Sequence, residues 1–376
     1  MPGFSLLAFS GSFKARLEYD RKELSGNGQG GSPYPGINRK MAGAPPKGTD
    51  NFQGRILMRI RLWGVRGSLP SPQLPSQMKS KISAILERLT PGDLENSQTR
   101  ERFLAGLPPW LFGTVGGNSP CVSVQLEDQE VLSSPKEMII FDAGSGLREL
   151  GIAAVKEKPK ITAYHLFFSH FHWDHIMGLP FFNPAYDPGV SVDFYSPWTG
   201  METILHGQMT SPYFPVHMES MSSRKKFHTL SAPLDLLGVS VSYRKMNHPG
   251  DSYSYKVDDG RHRFIYATDT ELSADDFVKN EENAAYFSDA DVIVLDAQYT
   301  LGEAIEKYNW GHSAFSLAVD FAANWKIKHL VFFHHDPTYD DHKLFNNLQS
   351  AKWYMERMNI RDMKLSLAME GMEFVL

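Results

Sequence analysis

The chain has one cysteine, Cys121, in 376 residues. That excludes an intramolecular disulfide and any cysteine-rich zinc site, and a reducing, cytoplasmic compartment suits it best. No run of about 20 apolar residues occurs, so no membrane-spanning helix and no membrane partner is expected. The opening stretch MPGFSLLAFSGSFKAR has no basic residue ahead of its apolar part and no small-residue cleavage pattern. It does not read as a signal peptide. Positive charge is also short: the formal net charge is −5, which gives no bulk attraction for polyanions. A nucleic-acid partner would need a local basic patch. No short-period repeat is present, which excludes a solenoid.

What is present is the make-up of a globular chain with a sizeable core: 42% hydrophobic and 22% charged residues. The length admits one large α/β domain or two smaller ones. Residues 1–57 stand apart, since SGNGQGGSPYPGINRKMAGAPPKGTD is rich in glycine, proline and polar residues and reads as a flexible leader. MRIRLW then alternates apolar and basic residues, so the folded domain is expected over 58–376. A helical insert of about 74–110 follows Pro70, with QMKSKISAILERL and NSQTRERFLAGL separated by TPGD. Such an insert can serve as a lid or as a subunit contact, a homodimer included. From Ser119 onward short strands recur in CVSVQL, EMIIFD, TAYHLFF, VSVDFY, VSVSYRKM, RFIYA, DVIVLD and HLVFF. Helical patterns fall between and after them, which predicts a layered α/β fold of sheet on sheet with helices outside.

The segment SHFHWDH crowds His170, His172, Asp174 and His175 behind an apolar strand. An extended chain turns alternate side chains the same way, so His170 and His172 can reach one ion. Asp174 and His175 follow where the chain bends toward a helix and can address a second ion. Imidazole and carboxylate suit zinc, and a catalytic site keeps a position open for water. Four side chains do not complete two ions. Three later segments offer more, each with a polar residue closing a strand: His248 in KMNHPGD, Asp269 in FIYATDT, and His334 or His335 in LVFFHHDP.

Taken in order, Asp142, the His170–His175 motif, His248, Asp269 and His334 resemble the metallo-β-lactamase fold of dinuclear hydrolases, from about Met58 to the C-terminus. The resemblance implies a four-layer αββα sandwich with two metals at the edge between the sheets. It further implies that His170, His172 and His248 hold one metal and Asp174, His175 and His334 the other. Asp269 would bridge them, and Asp142 would support the metal-binding loop by hydrogen bonding. Motif matching favours His334 over His335 as the ligand, leaving His335 and Asp336 to support the site or face the substrate. Zinc is the expected metal, with manganese and iron as alternatives.

The bridging position holds aspartate, and no cysteine is available there, unlike the antibiotic-hydrolysing β-lactamases. ATDT, with GHSAFSLAVDFAA and LVFFHHDP, is similar to ribonuclease Z and its phosphodiesterase relatives, which gives His312 an assisting catalytic role beside Asp174. RLWGVRGSLP, GTVGGNSPCVSV and FDAGSGLRELG resemble a bacterial subgroup described as cyclic-nucleotide phosphodiesterase-like. The leading expectation is therefore a phosphodiesterase for a small nucleotide or cyclic nucleotide. The alternatives are a ribonuclease Z-like nuclease, a hydrolase of another ester or thioester, and a metal-binding sensor without turnover. The acidic stretch ELSADDFVKNEENAAYFSDAD disfavours RNA. Arg66 and Asn118, in glycine-rich turns, can reach the substrate or brace the site, and bracing is preferred. DAGSGLRELG lacks GxGxxG spacing and is set aside as a dinucleotide loop. GQMTSPYFPVHMESMSSRKKF reads equally as a substrate-facing loop, with Tyr213 and Phe214 available to stack on a base, or as a packed surface flap.

Overall fold

The computed structural model describes residues 56–128 and 136–376. The expected leader lies outside these residues except for Ile56 and Leu57, which already belong to the first strand.

Two seven-stranded sheets carry the fold. The first contains β1 (Ile56–Gly64), β2 (Cys121–Asp128), β3 (Lys136–Phe141), β4 (Ile161–Phe167), β5 (Ser191–Ser196) and β6 (Arg224–Thr229). The second contains β7 (Leu234–Leu236), β8 (Val239–Met246), β9 (Ser252–Asp258), β10 (Arg263–Ala267), β11 (Val292–Asp296), β12 (His329–Phe333) and β13 (Lys364–Leu367). The last strand, β14 (Glu373–Val375), returns to the first sheet beside β1. In each sheet four successive strands are parallel, β3 to β6 and β10 to β13.

Burial on both faces explains the near-continuous apolar strands. In MIIF of β3, Ile139 and Phe141 enter the layer between the sheets, while Met138 and Ile140 pack outward under the helix Gly146–Ala154. In VIVL of β11, Val292 and Val294 point inward. Ile293 and Leu295 meet Ala318, Phe321 and Trp325 outside. The period-2 alternation of the strand thus separates three apolar layers, and the outcome is the expected sandwich of two sheets flanked by helices.

One expectation changes. RKKF is not loop: Arg224–Thr229 is edge strand β6, parallel to β5. Its basic run suits an edge, where charge discourages pairing with another chain. Within the preceding loop, Phe214 packs edge-on against Phe181, while Tyr213 is exposed. The insert between β1 and β2 forms the helices Pro75–Leu86 and Ser97–Gly106, the latter capped by Asn96 accepting from the Thr99 N–H.

Candidate metal centre

The chain emerging from the parallel strands places polar residues at one edge of the sandwich. Asp142 follows β3, His170 lies three residues beyond β4, Asp269 two beyond β10, and His334 follows β12. Asp142, Asp269 and His334 all have left-handed backbones, with φ of 58°, 42° and 60°. Such residues cost about 1–3 kcal/mol each and persist where surrounding contacts over-determine them. Asp142 shows how: it accepts from Ser169 N, Ser169 Oγ, His175 Nδ1 and Tyr266 Oη, all within 2.8 Å.

Around Asp269 the side chains fall into two groups. Oδ2 faces His170 Nε2 at 3.7 Å and His248 Nε2 at 3.9 Å. His248 Nε2 is in turn 3.3 Å from His172 Nδ1. Oδ1 faces His175 Nε2 at 3.1 Å and His334 Nε2 at 3.2 Å. Asp174 Oδ2 closes that second group, 3.1 Å from His175 Nε2 and 3.4 Å from His334 Nε2. Each group fits the span of ligands about one ion.

The outward nitrogens fix which atoms face inward. His175 Nδ1 donates to Asp142, His248 Nδ1 to the Gly311 carbonyl at 3.0 Å, and His334 Nδ1 to Gln298 Oε1 at 3.2 Å. Ser169 gives its one hydroxyl proton to Asp142, so its oxygen accepts from His170 Nδ1. In each of these four rings Nε2 is the nitrogen aimed at the cluster, the orientation of metal-ligating histidines.

Two further observations test the fit to metal. Nε2 of His170 and of His175 are buried and make no hydrogen bond, although such atoms nearly always find a partner. The electrostatics also call for positive charge. Burial opposes a charge on His175, but Asp174, Asp269 and Asp142 outweigh it and hold the imidazole well above its ordinary range. For Asp269, burial is outweighed by His334, His175 and His170, which hold the carboxyl well below the usual range. At His170 burial wins, with His175 adding to it, and the ring stays neutral. A cation bound here would replace the proton that the carboxylates hold on His175, and imidazole with buried carboxylate is a donor set for divalent cations.

The doublet separates cleanly. His334 reaches the cluster, whereas His335 points away and donates Nε2–H to the Ala368 carbonyl at 2.9 Å. Burial, with Arg66 adding to it, pushes the His335 pKa down to about 3. Asp336 is buried too, accepting from Thr338 N and Oγ1 with Lys307 nearby. Neither residue is among those lining the cavity over the cluster. Arg66 braces the backbone, donating to the carbonyls of Gly116, Asp336 and Tyr339. Asn118 pairs with Glu370 and accepts from Ser145 Oγ. His312 lies beside the cluster, its ring stacked on His334 at 5.0 Å and its Nδ1 2.7 Å from Asp296 Oδ2. It also falls within ligand reach of Asp269 and His334. Burial works against its charge, but Asp296 outweighs it and raises the pKa.

Sequence reasoning missed several supporting residues. Ser68 N donates to Asp174 Oδ2 at 2.8 Å, and Ser119 Oγ to the Asp174 carbonyl at 2.7 Å. Asp296 also receives the N–H groups of Thr270, Gln298 and Ser313. It ends VIVLD as Asp142 ends EMIIFD, so the same strand-end signal could have found it. Gly67 has no room for a side chain: a Cβ would lie 2.5 Å from His334 Nδ1. Gly311 is left-handed, and a Cβ there would meet His248 Nδ1 at 2.2 Å.

A cavity of about 380 Å³ opens over the cluster, lined by Ser68, Phe171, His172, Trp173, Asp174, Asp269 and His312.

Comparison with known proteins gives a consistent family. Residues 137–335 match the family described as the beta-lactamase superfamily domain. Among solved structures, the metallo-beta-lactamase fold protein YhfI from Bacillus subtilis aligns with a TM-score of 0.55 at 14% identity, over 86% of this chain and 100% of that one. A diphosphatase from the PhnP family aligns at 0.51 and 16%, over 84% and 97%. The short form of human tRNase Z aligns at 0.52 and 16%, over 84% and 98%. A search of curated protein sequences returns no match.

Proposed function

The chain belongs to the beta-lactamase superfamily, whose fold is carried mostly by metal-dependent hydrolases, and from that premise we propose a dinuclear metal-dependent phosphodiesterase acting on a small nucleotide or cyclic nucleotide. The observation that carries this reading is the division at Asp269, whose two carboxylate oxygens each face two histidines of a separate group of three side chains. His170, His172 and His248 would hold one divalent ion, Asp174, His175 and His334 the other, with Asp269 shared. Zinc suits this nitrogen and oxygen donor set, and manganese or iron fit it as well. When bound, two such ions would lower the pKa of a nearby water and offset charge developing at phosphorus.

The chain's own residues supply orientation and protons. Asp174, held at Oδ2 by the Ser68 N–H, accepts a hydrogen bond from the attacking water and aims its lone pair at phosphorus. His312 is oriented through Nδ1 by Asp296, which leaves Nε2 to carry a proton. Protonated there, it stabilises charge on the phosphoryl oxygens and gives the proton to the leaving alkoxide. The P–O bond to water forms as water loses a proton through Asp174 to solvent, and the P–O bond to the alcohol breaks as His312 protonates it. The products are a phosphomonoester and an alcohol, on one molecule when the diester is cyclic. A diphosphatase and a tRNase Z share the fold at low identity, which is in keeping with hydrolysis at phosphorus. The net charge of −5 favours a small diester over RNA.

The test is a panel of cyclic nucleotides, dinucleotides, RNA, aryl phosphodiesters and carboxylic esters on metal-replete protein. Turnover of small diesters is expected, lost in His172→Ala. Preference for RNA or for carboxylic esters over every small diester would overturn the reading.

A further inference from the structure

Trp173 is 82% exposed, more than any other large hydrophobic residue among the described ones. The other six tryptophans each find a partner: an acceptor for Nε1–H at Trp63, Trp198 and Trp325, a ring beside Trp110, and a cation over Trp310 and Trp353. Among the described residues Trp173 has no such partner. An indole left bare in water forfeits the burial that usually stabilises it.

Its backbone has no freedom to relieve that exposure. Trp173 sits between His172 and Asp174, at the start of the short helix Trp173–Ile176. Asp174 and His175 are locked into the cluster, and the Trp173 carbonyl accepts from Met177 N at 2.8 Å. The side chain lines the same cavity as Asp174, Asp269 and His312. A phosphate at the cluster would therefore have an unoccupied aromatic face beside it.

We propose that Trp173 determines substrate specificity by stacking on the flat aromatic base of the substrate while the phosphate lies at the cluster. The proposal rests on the phosphodiesterase reading and narrows it, because a diester of aliphatic alcohols alone has nothing to stack. Stacking tolerates every base, since each has a π face. The residue therefore selects for a nucleobase without choosing which one.

Metal-loaded wild type, Trp173→Ala and Trp173→Phe are compared for binding of adenosine 5′-monophosphate and of ribose 5-phosphate by calorimetry. Wild type is expected to bind the nucleotide about 10-fold more tightly than the sugar phosphate, a range set by base–aromatic stacking. W173A erases that difference and W173F keeps most of it. With a nucleotide diester as substrate, KM rises about 10-fold in W173A while kcat changes less. Equal affinity for the two ligands in wild type, or a base preference unchanged in W173A, overturns the proposal. So does an equal loss for both ligands. If wild type prefers the nucleotide through Trp173 but hydrolyses no diester, only the phosphodiesterase reading falls. If it hydrolyses diesters with no dependence on Trp173, only the stacking role falls.

Discussion

His312 Nδ1 lies 2.7 Å from Asp296 Oδ2, and the same carboxylate gathers the N–H groups of Thr270, Gln298 and Ser313. The ring is thus held by a group tied into three loop segments, at the mouth of the cavity. If it acts as the proton donor, His312→Ala is expected to lower kcat about 10²- to 10⁴-fold, the usual range for a positioned acid. Elemental analysis of the purified variant should still find the wild-type metal content. Loss of one metal equivalent would instead make His312 a ligand.

His334 and His335 are adjacent in sequence, yet one faces Asp269 and the other the Ala368 carbonyl. Removing His334 takes one of three side chains from the group that faces Asp269 Oδ1, so H334A should lose about one metal equivalent and its activity. Removing His335 strands the buried Ala368 carbonyl. An unsatisfied buried acceptor costs about 1–3 kcal/mol. H335A should therefore keep both metals and most activity while its urea midpoint falls. A metal loss in H335A equal to that in H334A would contradict the assignment.

Much of this site was legible because its residues close apolar strands. Asp142, Asp269 and His334 each stand just past a run of buried hydrophobics, and polar residues there must serve the sheet edge or a ligand. The doublet was harder, because alternation alone does not say which of two histidines turns inward where the first is itself left-handed. Ser68 was invisible, since it acts through its backbone N–H and any residue type carries one. Strand β9 escaped notice for another reason: SYSYKVD sends Tyr255 and Val257 inward but puts buried Ser252 and Ser254 on its helix-side face, with Ser254 Oγ on Tyr286 Oη, so that face reads as polar. Strand β6 was masked by Arg224, Lys225 and Lys226, whose charges hide the alternation of an edge strand.

Lys81 reads in sequence as one more surface lysine of the insert. In the fold it is buried and paired with Asp341 at 2.5 Å, and its Nζ also donates to the Gly113 carbonyl. Asp341 in turn accepts from Val115 N and Thr114 Oγ1. The pair ties the helix Pro75–Leu86 to the helix Asp341–Arg357, which argues for a docked insert rather than a lid. Removing one partner of a buried pair leaves the other charge uncompensated, at about 3–5 kcal/mol. Lys81→Met should lower the unfolding free energy by that order in urea titrations. A change under about 0.5 kcal/mol, the scale of an ordinary surface substitution, would show that the insert is not held there.

Asp142 touches no other carboxylate of the cluster, yet it orients two of its histidines. It receives His175 Nδ1–H directly and holds the Ser169 hydroxyl that faces His170 Nδ1. Tyr266 Oη donates to the same Oδ2. Asp142→Asn keeps the shape but replaces one acceptor oxygen with a donor NH₂. Whichever way the amide turns, it meets either the Ser169 N–H or the His175 Nδ1–H with a donor. Loss of such a partner typically costs 10- to 100-fold in metal affinity (about 1.4–2.8 kcal/mol). Competition with a chromophoric chelator should show that loss in D142N, with near-wild-type turnover at saturating metal. Unchanged affinity would mean that His175 keeps its orientation without the carboxylate, and that Asp142 serves only the strand end.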